Sequence, residues 1–380
     1  MTDEIQRLVN GLAGQEFVGD ACMLLDQHLE RGDTAYLAAF GAALHARYGS
    51  GTAGAEHRYL FDRILWDVTT TPGRENVGHA MRLGLATRTR TGRPVRRAAA
   101  VLAAHQSVAD LAALFTPGRP YDDTPDELRA CLIHELVLRD APVAQSPEAV
   151  RWAANSPFWN DHPLAWLPWS LSPVERRPAL PRYSRGGVAY GSGYGLPQGA
   201  RPPGGDPGGV PSVRRIAEEH TITAAVEPWA RRHNGRVESG IYVADAPVGP
   251  GAVHAVLASL PMACLAELAD PGHLRVRTGS PAEAWRLLFA AASTGAGPES
   301  DWCYGAYGRL AAWQSLAALS DAAHGASPAE VEQRAQECAW YGFQASTHWF
   351  NQDSKDFALL TLSPGGHRLA VLAATDYEGG

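Results

Sequence analysis

Phe357-Ala-Leu-Leu-Thr-Leu362, then Ser363-Pro-Gly-Gly366, then His367-Arg-Leu-Ala-Val-Leu-Ala-Ala-Thr375 decides how the C-terminal half of this chain folds. Two apolar runs of strand length flank a tetrapeptide in which Pro favours the second turn position and Gly tolerates positive φ. The stretch reads as a β-hairpin. Upstream, Arg236-Val-Glu-Ser-Gly-Ile-Tyr-Val-Ala244 alternates as a strand does, and so does His273-Leu-Arg-Val-Arg277. Helices lie between and after them. Ser280-Pro-Ala-Glu283 and Ser327-Pro-Ala-Glu330 each offer Ser as N-cap, Pro at the first helical position and Glu to close the capping box. Ala306, Leu310, Trp313 and Ala317 form one stripe of a long apolar helix over Trp302–Ala322. Cys338-Ala-Trp-Tyr-Gly-Phe343 reads as a helix end. These elements predict an α+β domain over 212–380, with a sheet of about four strands covered by helices.

The front of the chain has a different period. Ile5, Leu8, Val9 and Leu12 make a helical stripe, Tyr36, Leu37, Phe40 and Leu44 another, and Leu60, Phe61, Ile64, Leu65 and Val68 a broad buried face. Thr124-Pro-Asp-Glu127 reads as a capping box ahead of Leu128, Cys131, Leu132 and Leu136. No strand and no repeat period stands out, so residues 1–155 are expected to form an all-helical domain, an irregular bundle or a short solenoid. Between the domains, 156–211 starts as a strap rich in Trp and Pro, foreshadowed by Trp152 and running through Trp159, Trp166 and Trp169. It ends in a Gly/Pro tract from Gly186 that is expected to form no regular element.

The chain has 380 residues, 45% hydrophobic content and a formal charge of −7. It can bury real cores, and its acidic balance argues against a nucleic-acid backbone or an anionic membrane as the main partner. Its basic residues are Arg with one exception, Lys355, a bias expected of a GC-rich, actinobacterial genome. The start lacks a signal-peptide pattern, and the apolar run Ala252–Ala269 is broken by His254, Pro261 and Glu267, so a cytoplasmic protein without a membrane span is expected. Five scattered cysteines give neither a disulfide framework nor a zinc signature.

Trp349-Phe350-Asn351 and the run from Arg368 to Asp376 resemble the carboxy-terminal signature of a large actinobacterial family classed as a domain of unknown function. The resemblance lies mainly in the last third of the chain. It implies a bacterial cytoplasmic protein and brings no activity with it.

Candidate chemistry is sparse. His348, Asp353 and Asp356, joined by Asn351, Gln352 and Asp376, could hold a divalent metal, or His348 with a carboxylate could act as a general base. The same residue types are ordinary in a polar loop between elements. Asp301-Trp-Cys303 places a second candidate, a Cys at a helix start whose pKa a helix N-terminus can lower, against the commoner reading of a buried thiol. His134-Glu135 lacks the second His of a zincin, and Gly191-Ser-Gly-Tyr-Gly195 fits neither a dinucleotide fingerprint nor a nucleophile elbow. No cofactor is therefore expected. The basic run Arg88, Arg90, Arg93, Arg96 and Arg97 could meet phosphates, but an acidic chain favours a solvated loop. The leading expectation is a non-catalytic binding or regulatory protein, its two domains enclosing a cleft for a protein or a small-molecule ligand. The alternative is a metal-dependent or general-base hydrolase centred on His348, Asp353 and Asp356.

Overall fold

The apolar stripes of the front half fold into helices α1 (Thr2–Gly11), α2 (Gly19–Glu30), α3 (Thr34–Tyr48), α4 (Ala55–Thr70), α5 (Arg74–Arg82), α6 (Pro94–His105), α7 (Val108–Leu111), α8 (Asp126–Val137), α9 (Pro147–Asn155) and α10 (Pro157–Asn160). In the computed structural model the described residues are 2–12, 18–49, 54–85, 94–116, 124–185, 187–189, 195–204, 210–217, 220–230, 235–268, 271–294, 304–350 and 355–375. They divide into two units, Met1–His162 with Tyr183–Val188, and Pro163–Arg182 with Ala189–Gly380.

The first unit is built around α8, in which every residue from Leu128 to Val137 is buried. A helix buried on all sides forms the centre of the unit, its Arg129, His134 and Glu135 held by partners within it, and α6 packs along it. The alanines at 98, 99, 100 and 103 of α6 are buried, and their small side chains let the two helices approach. The capping box expected at Thr124 does not form. Pro125 is the N-cap, without a side-chain hydrogen bond, and the helix begins one residue later. The Gly/Pro tract also corrects the sequence reading, because β1 (Arg182–Ser184) pairs with β2 (Gly187–Ala189) in a small two-stranded ribbon. Arg185 lies 5.6 Å over the ring of Tyr59 on α4, and its charge also acts on Asp67. This cation–π contact holds the ribbon in the first unit.

The second unit contains β3 (Val213–Ala217), α11 (Glu227–Ala230), β4 (Arg236–Ala244), α12 (Val253–Ala258), β5 (Leu274–Gly279), α13 (Pro281–Thr294), α14 (Tyr304–Ser320), α15 (Pro328–Glu337), β6 (Ala339–Ala345), β7 (Phe357–Leu362) and β8 (Arg368–Thr375). The expected hairpin is β7–β8, with Gly366 at φ +70 in its turn. It sits at the centre of a six-stranded antiparallel sheet of order β3-β4-β8-β7-β6-β5, larger than the sheet of about four strands expected. The run after Cys338 is strand β6, not a helix end: α15 stops at Glu337, Cys338 caps it, and Ala339 already pairs with Leu362. Strand β3 was hidden because Arg214 and Arg215 break the alternation and a bulge follows.

One sheet face, with Tyr341, Phe343, Leu360 and Val371, packs on Val253, Val256 and Leu257 of α12. On the other, α14 crosses β7 and β8, and Trp229 meets Phe357 edge-on at 5.7 Å. Both Ser-Pro-Ala-Glu starts cap as expected, the Glu283 amide donating to Ser280 and the Glu330 amide to Ser327. The Ser327 amide and hydroxyl in return hold the Glu330 carboxyl below its ordinary pKa.

Edge strand β5 is covered by the chain that precedes β3. The Thr278 amide donates to the Ala200 carbonyl at 2.9 Å, and a Cβ on Gly199 would lie 2.0 Å from the Thr278 oxygen. Pro197 sits in a notch over Gly279 and Gly342, where a Cβ on Gly342 would come within 2.2 Å of its ring. The segment thus blunts an exposed sheet edge.

Candidate functional site

Of the hairpin-loop candidates, His348 and Asp356 are described, whereas Asp353, Asn351, Gln352 and Asp376 lie outside the described residues, as do Asp301 and Cys303. His348 is exposed. Its amide donates to Glu267 at 3.3 Å and its carbonyl accepts from Arg236 at 2.9 Å, so the backbone there is anchored to the sheet. Asp356 is buried at 4% exposure and accepts from the Thr375 hydroxyl, which closes the open end of the hairpin. Among the described residues no three His, Cys, Asp or Glu side chains gather as a metal site.

Cys131, Cys264 and Cys338 are buried, and Arg96 and Arg97 of the basic run lie against the fold. Cys131 and Cys264 are fully buried, and burial first, then Glu127 and Glu238 respectively, pushes their thiols up in pKa. Burial raises Cys338 likewise. A thiol held protonated is a poor nucleophile. Arg96 stands 3.8 Å from Glu127 and Arg97 lies 5.9 Å over Trp66, while Arg88, Arg90 and Arg93 are outside the described residues. His134 and Glu135 are buried in α8, His134 stacked on Trp159 and Glu135 paired to Arg139 at 2.7 Å.

Trp152 and the three tryptophans of the strap divide between the units. Trp166 and Trp169 belong to the second, where Trp166 donates to the Ala326 carbonyl at 3.0 Å. Trp152 and Trp159 belong to the first, with ring centroids 5.7 Å apart, and Trp152 also meets Phe115 at 5.8 Å. Beside Trp152 opens a cavity of about 510 Å³. That volume falls within the range of small-molecule sites, about 300–1,000 Å³.

Helix α9 forms one wall. It starts at Ser146, whose hydroxyl accepts the Ala149 amide, with Pro147 at the first position. Its spacing then puts Glu148, Arg151, Trp152 and Asn155 on one face, at i, i+3, i+4 and i+7, and all four line the cavity. Opposite stand Asp126 and Arg129 from α8, and Phe115. Asp126 is neutralised on the spot, accepting from Arg129 at 2.7 Å and from the Trp152 indole at 3.1 Å. That pair fixes the indole plane. Arg151 is exposed, and its guanidinium has no ion-pair partner among the described residues. Glu148 accepts from Ser146 through one oxygen at 3.1 Å.

A second cavity of similar size lies at the turn between α14 and α15, lined by Asp321, His324, Glu330 and Arg334 among others. Its charges serve the fold. Arg334 donates to the Ser320 carbonyl and to Glu337, Arg368 to the Ala318 and Leu319 carbonyls, and Asp321 pairs with Arg368 at 3.2 Å. Two arginines thus satisfy the last carbonyls of α14 and complement its dipole.

The residues around the first cavity were not singled out from the sequence, where Trp152 was read with the prolines and tryptophans that follow. The available signal was the polar and aromatic face of Glu148, Arg151, Trp152 and Asn155 directly after a Ser-Pro helix start.

A family model described as a family of unknown function (DUF6183) matches residues 19–378, covering the helical front end as well as the C-terminal third. No curated protein and no solved structure matches the chain.

Proposed function

The chain belongs to this family of unknown function, and we propose that it is a non-catalytic binding or regulatory protein whose small-molecule site is the cavity along α9. The observation that carries this reading is the convergence, on one cavity of about 510 Å³, of a fixed indole, a buried Phe ring and charged groups not all neutralised by one another. Ligand sites combine apolar walls with a few placed polar groups in this way. The hydrolase reading around His348, Asp353 and Asp356 has less behind it, because Asp356 is buried in the closure of the hairpin. Arginine bias and the resemblance at Arg368–Asp376 support an actinobacterial, cytoplasmic protein, and the net charge of −7 supports a partner other than nucleic acid. No described helix is long and apolar enough to cross a membrane.

The test is saturation-transfer NMR of the full chain with benzoate and with indole. Both are expected to receive magnetisation from the protein, and Trp152→Ala is expected to abolish the transfer while the chain still melts cooperatively. Transfer unchanged by Trp152→Ala, or none from the native chain, overturns the proposal.

A further inference from the structure

The polar groups of the α9 cavity differ in how far the fold already satisfies them. Asp126 and Arg129 neutralise one another, and Arg129 also donates to the Leu114 carbonyl at 2.6 Å. They act as wall. Glu148 and Arg151, one helical turn apart, do not pair with each other, and among the described residues neither has an opposite charge to meet. The cavity thus presents one carboxylate and one guanidinium side by side, with the Trp152 and Phe115 rings behind them. The Asn155 side chain donates to the Arg151 carbonyl at 2.7 Å, leaving its amide oxygen as a further acceptor on the same face.

A simple anion would meet Arg151 but face Glu148, and a simple cation would meet the reverse. A molecule carrying a carboxylate and an ammonium a few bonds apart satisfies both. Resting on the reading of this cavity as the binding site, we infer that its ligand is a zwitterionic α-amino acid with an apolar side chain. The carboxylate takes a forked pair of hydrogen bonds from Arg151, the geometry that makes guanidinium the preferred partner of a carboxylate. The ammonium donates to Glu148, one turn before Arg151 on the same face. The apolar side chain lies against Trp152, whose plane is held by its bond to Asp126.

Isothermal titration calorimetry of the full chain tests this with L-phenylalanine, 3-phenylpropanoate, which lacks the ammonium, and 2-phenylethylamine, which lacks the carboxylate. L-Phenylalanine is expected to bind one to one and each analogue to bind about tenfold more weakly or worse, the scale of one charge-assisted hydrogen bond. Arg151→Gln is expected to weaken L-phenylalanine and to leave 2-phenylethylamine bound at least as tightly, since it removes the cation that the ammonium faces. Glu148→Gln is expected to weaken L-phenylalanine and to leave 3-phenylpropanoate bound at least as tightly, since it removes the carboxylate that the anion faces. Because Arg151 is exposed and Glu148 half-buried, both variants should fold, which a thermal melt verifies. An analogue binding as tightly as L-phenylalanine overturns the zwitterion and leaves the cavity reading standing. So does failure of all three while benzoate and indole still bind through Trp152. Failure of all three together with benzoate and indole overturns both readings.

Discussion

Glu175→Gln is expected to destabilise the second unit by about 3–5 kcal/mol, the range for removing one partner of a buried ion pair. Glu175 and Arg309 are both fully buried. The pair is bidentate, Arg309 Nε donating to Oε1 at 2.6 Å and Nη2 to Oε2 at 2.8 Å. The carboxylate also accepts from the Trp313 indole at 2.8 Å and from the Ser172 amide at 2.9 Å. Arg309 reaches the carbonyls of Pro168 and Ser170 at 2.9 and 3.0 Å. This network fastens the segment Pro163–Arg182 to α14. The substitution keeps the shape but leaves a guanidinium buried without its counter-charge, and desolvation makes that state expensive. A thermal or denaturant melt reads the effect. For a unit of this size each kcal/mol moves the melting temperature by about 2–4 °C, so a drop on the order of 10 °C follows. The double variant Glu175→Gln with Arg309→Met, which removes the orphaned charge as well, is expected to lose less than the two single losses combined. A Glu175→Gln loss below about 1 kcal/mol, the level of an exposed pair, would sink the idea that the clamp holds the segment.

The second large effect is at Gly308. A Cβ there would stand 2.8 Å from the Cα and Cβ of Ser293 and 2.9 Å from its backbone nitrogen. Those are atoms of α13, so relief requires the two helices to part. Two terms oppose each other in Gly308→Ala. Helix propensity favours Ala over Gly by about 1 kcal/mol, whereas overpacking a close helix contact costs about 1–3 kcal/mol. Contact with backbone, which cannot rotate away, puts the steric cost at the upper end, so a net loss is expected. Gly308→Val, which recovers less propensity and adds volume, is expected to lose more. Gly11 in α1 is the internal control, since a Cβ there meets nothing within 4 Å. Gly11→Ala is expected to be neutral or stabilising by up to about 1 kcal/mol. Urea melts of the variants decide the matter, and a stabilised Gly308→Ala would show that α13 and α14 have room for a methyl group between them.

What could be read from the sequence follows from how local each determinant is. The β7–β8 hairpin was legible because Ser363-Pro-Gly-Gly366 carries its turn chemistry within four residues, and the two Ser-Pro-Ala-Glu starts were legible for the same reason. Strand β6 was not. Paired on both sides, by β5 and β7, it buries Trp340, Tyr341, Gly342 and Phe343 in succession, and a strand covered on both faces loses the alternation by which strands are recognised. The docking of Pro197 over Gly342 was equally hidden, because glycines and prolines read as breakers when their partners lie far along the chain. Glu175 and Arg309 are 134 residues apart and no sequence pattern joins them. The α9 face is the reverse case, a local and readable period passed over because Trp152 sits beside more conspicuous Trp-Pro pairs. At the hairpin loop, residue types pointed to His348, Asp353 and Asp356, yet residue type alone does not separate a carboxylate that closes a hairpin from one that holds a metal.

On the proposed reading this chain works by binding, with its site on α9 and not at the hairpin loop. Elemental analysis of the purified full-length protein beside its His348→Ala variant tests it most directly. The account predicts no stoichiometric transition metal in either protein; one equivalent of metal in the native chain, lost on replacing His348, would contradict it.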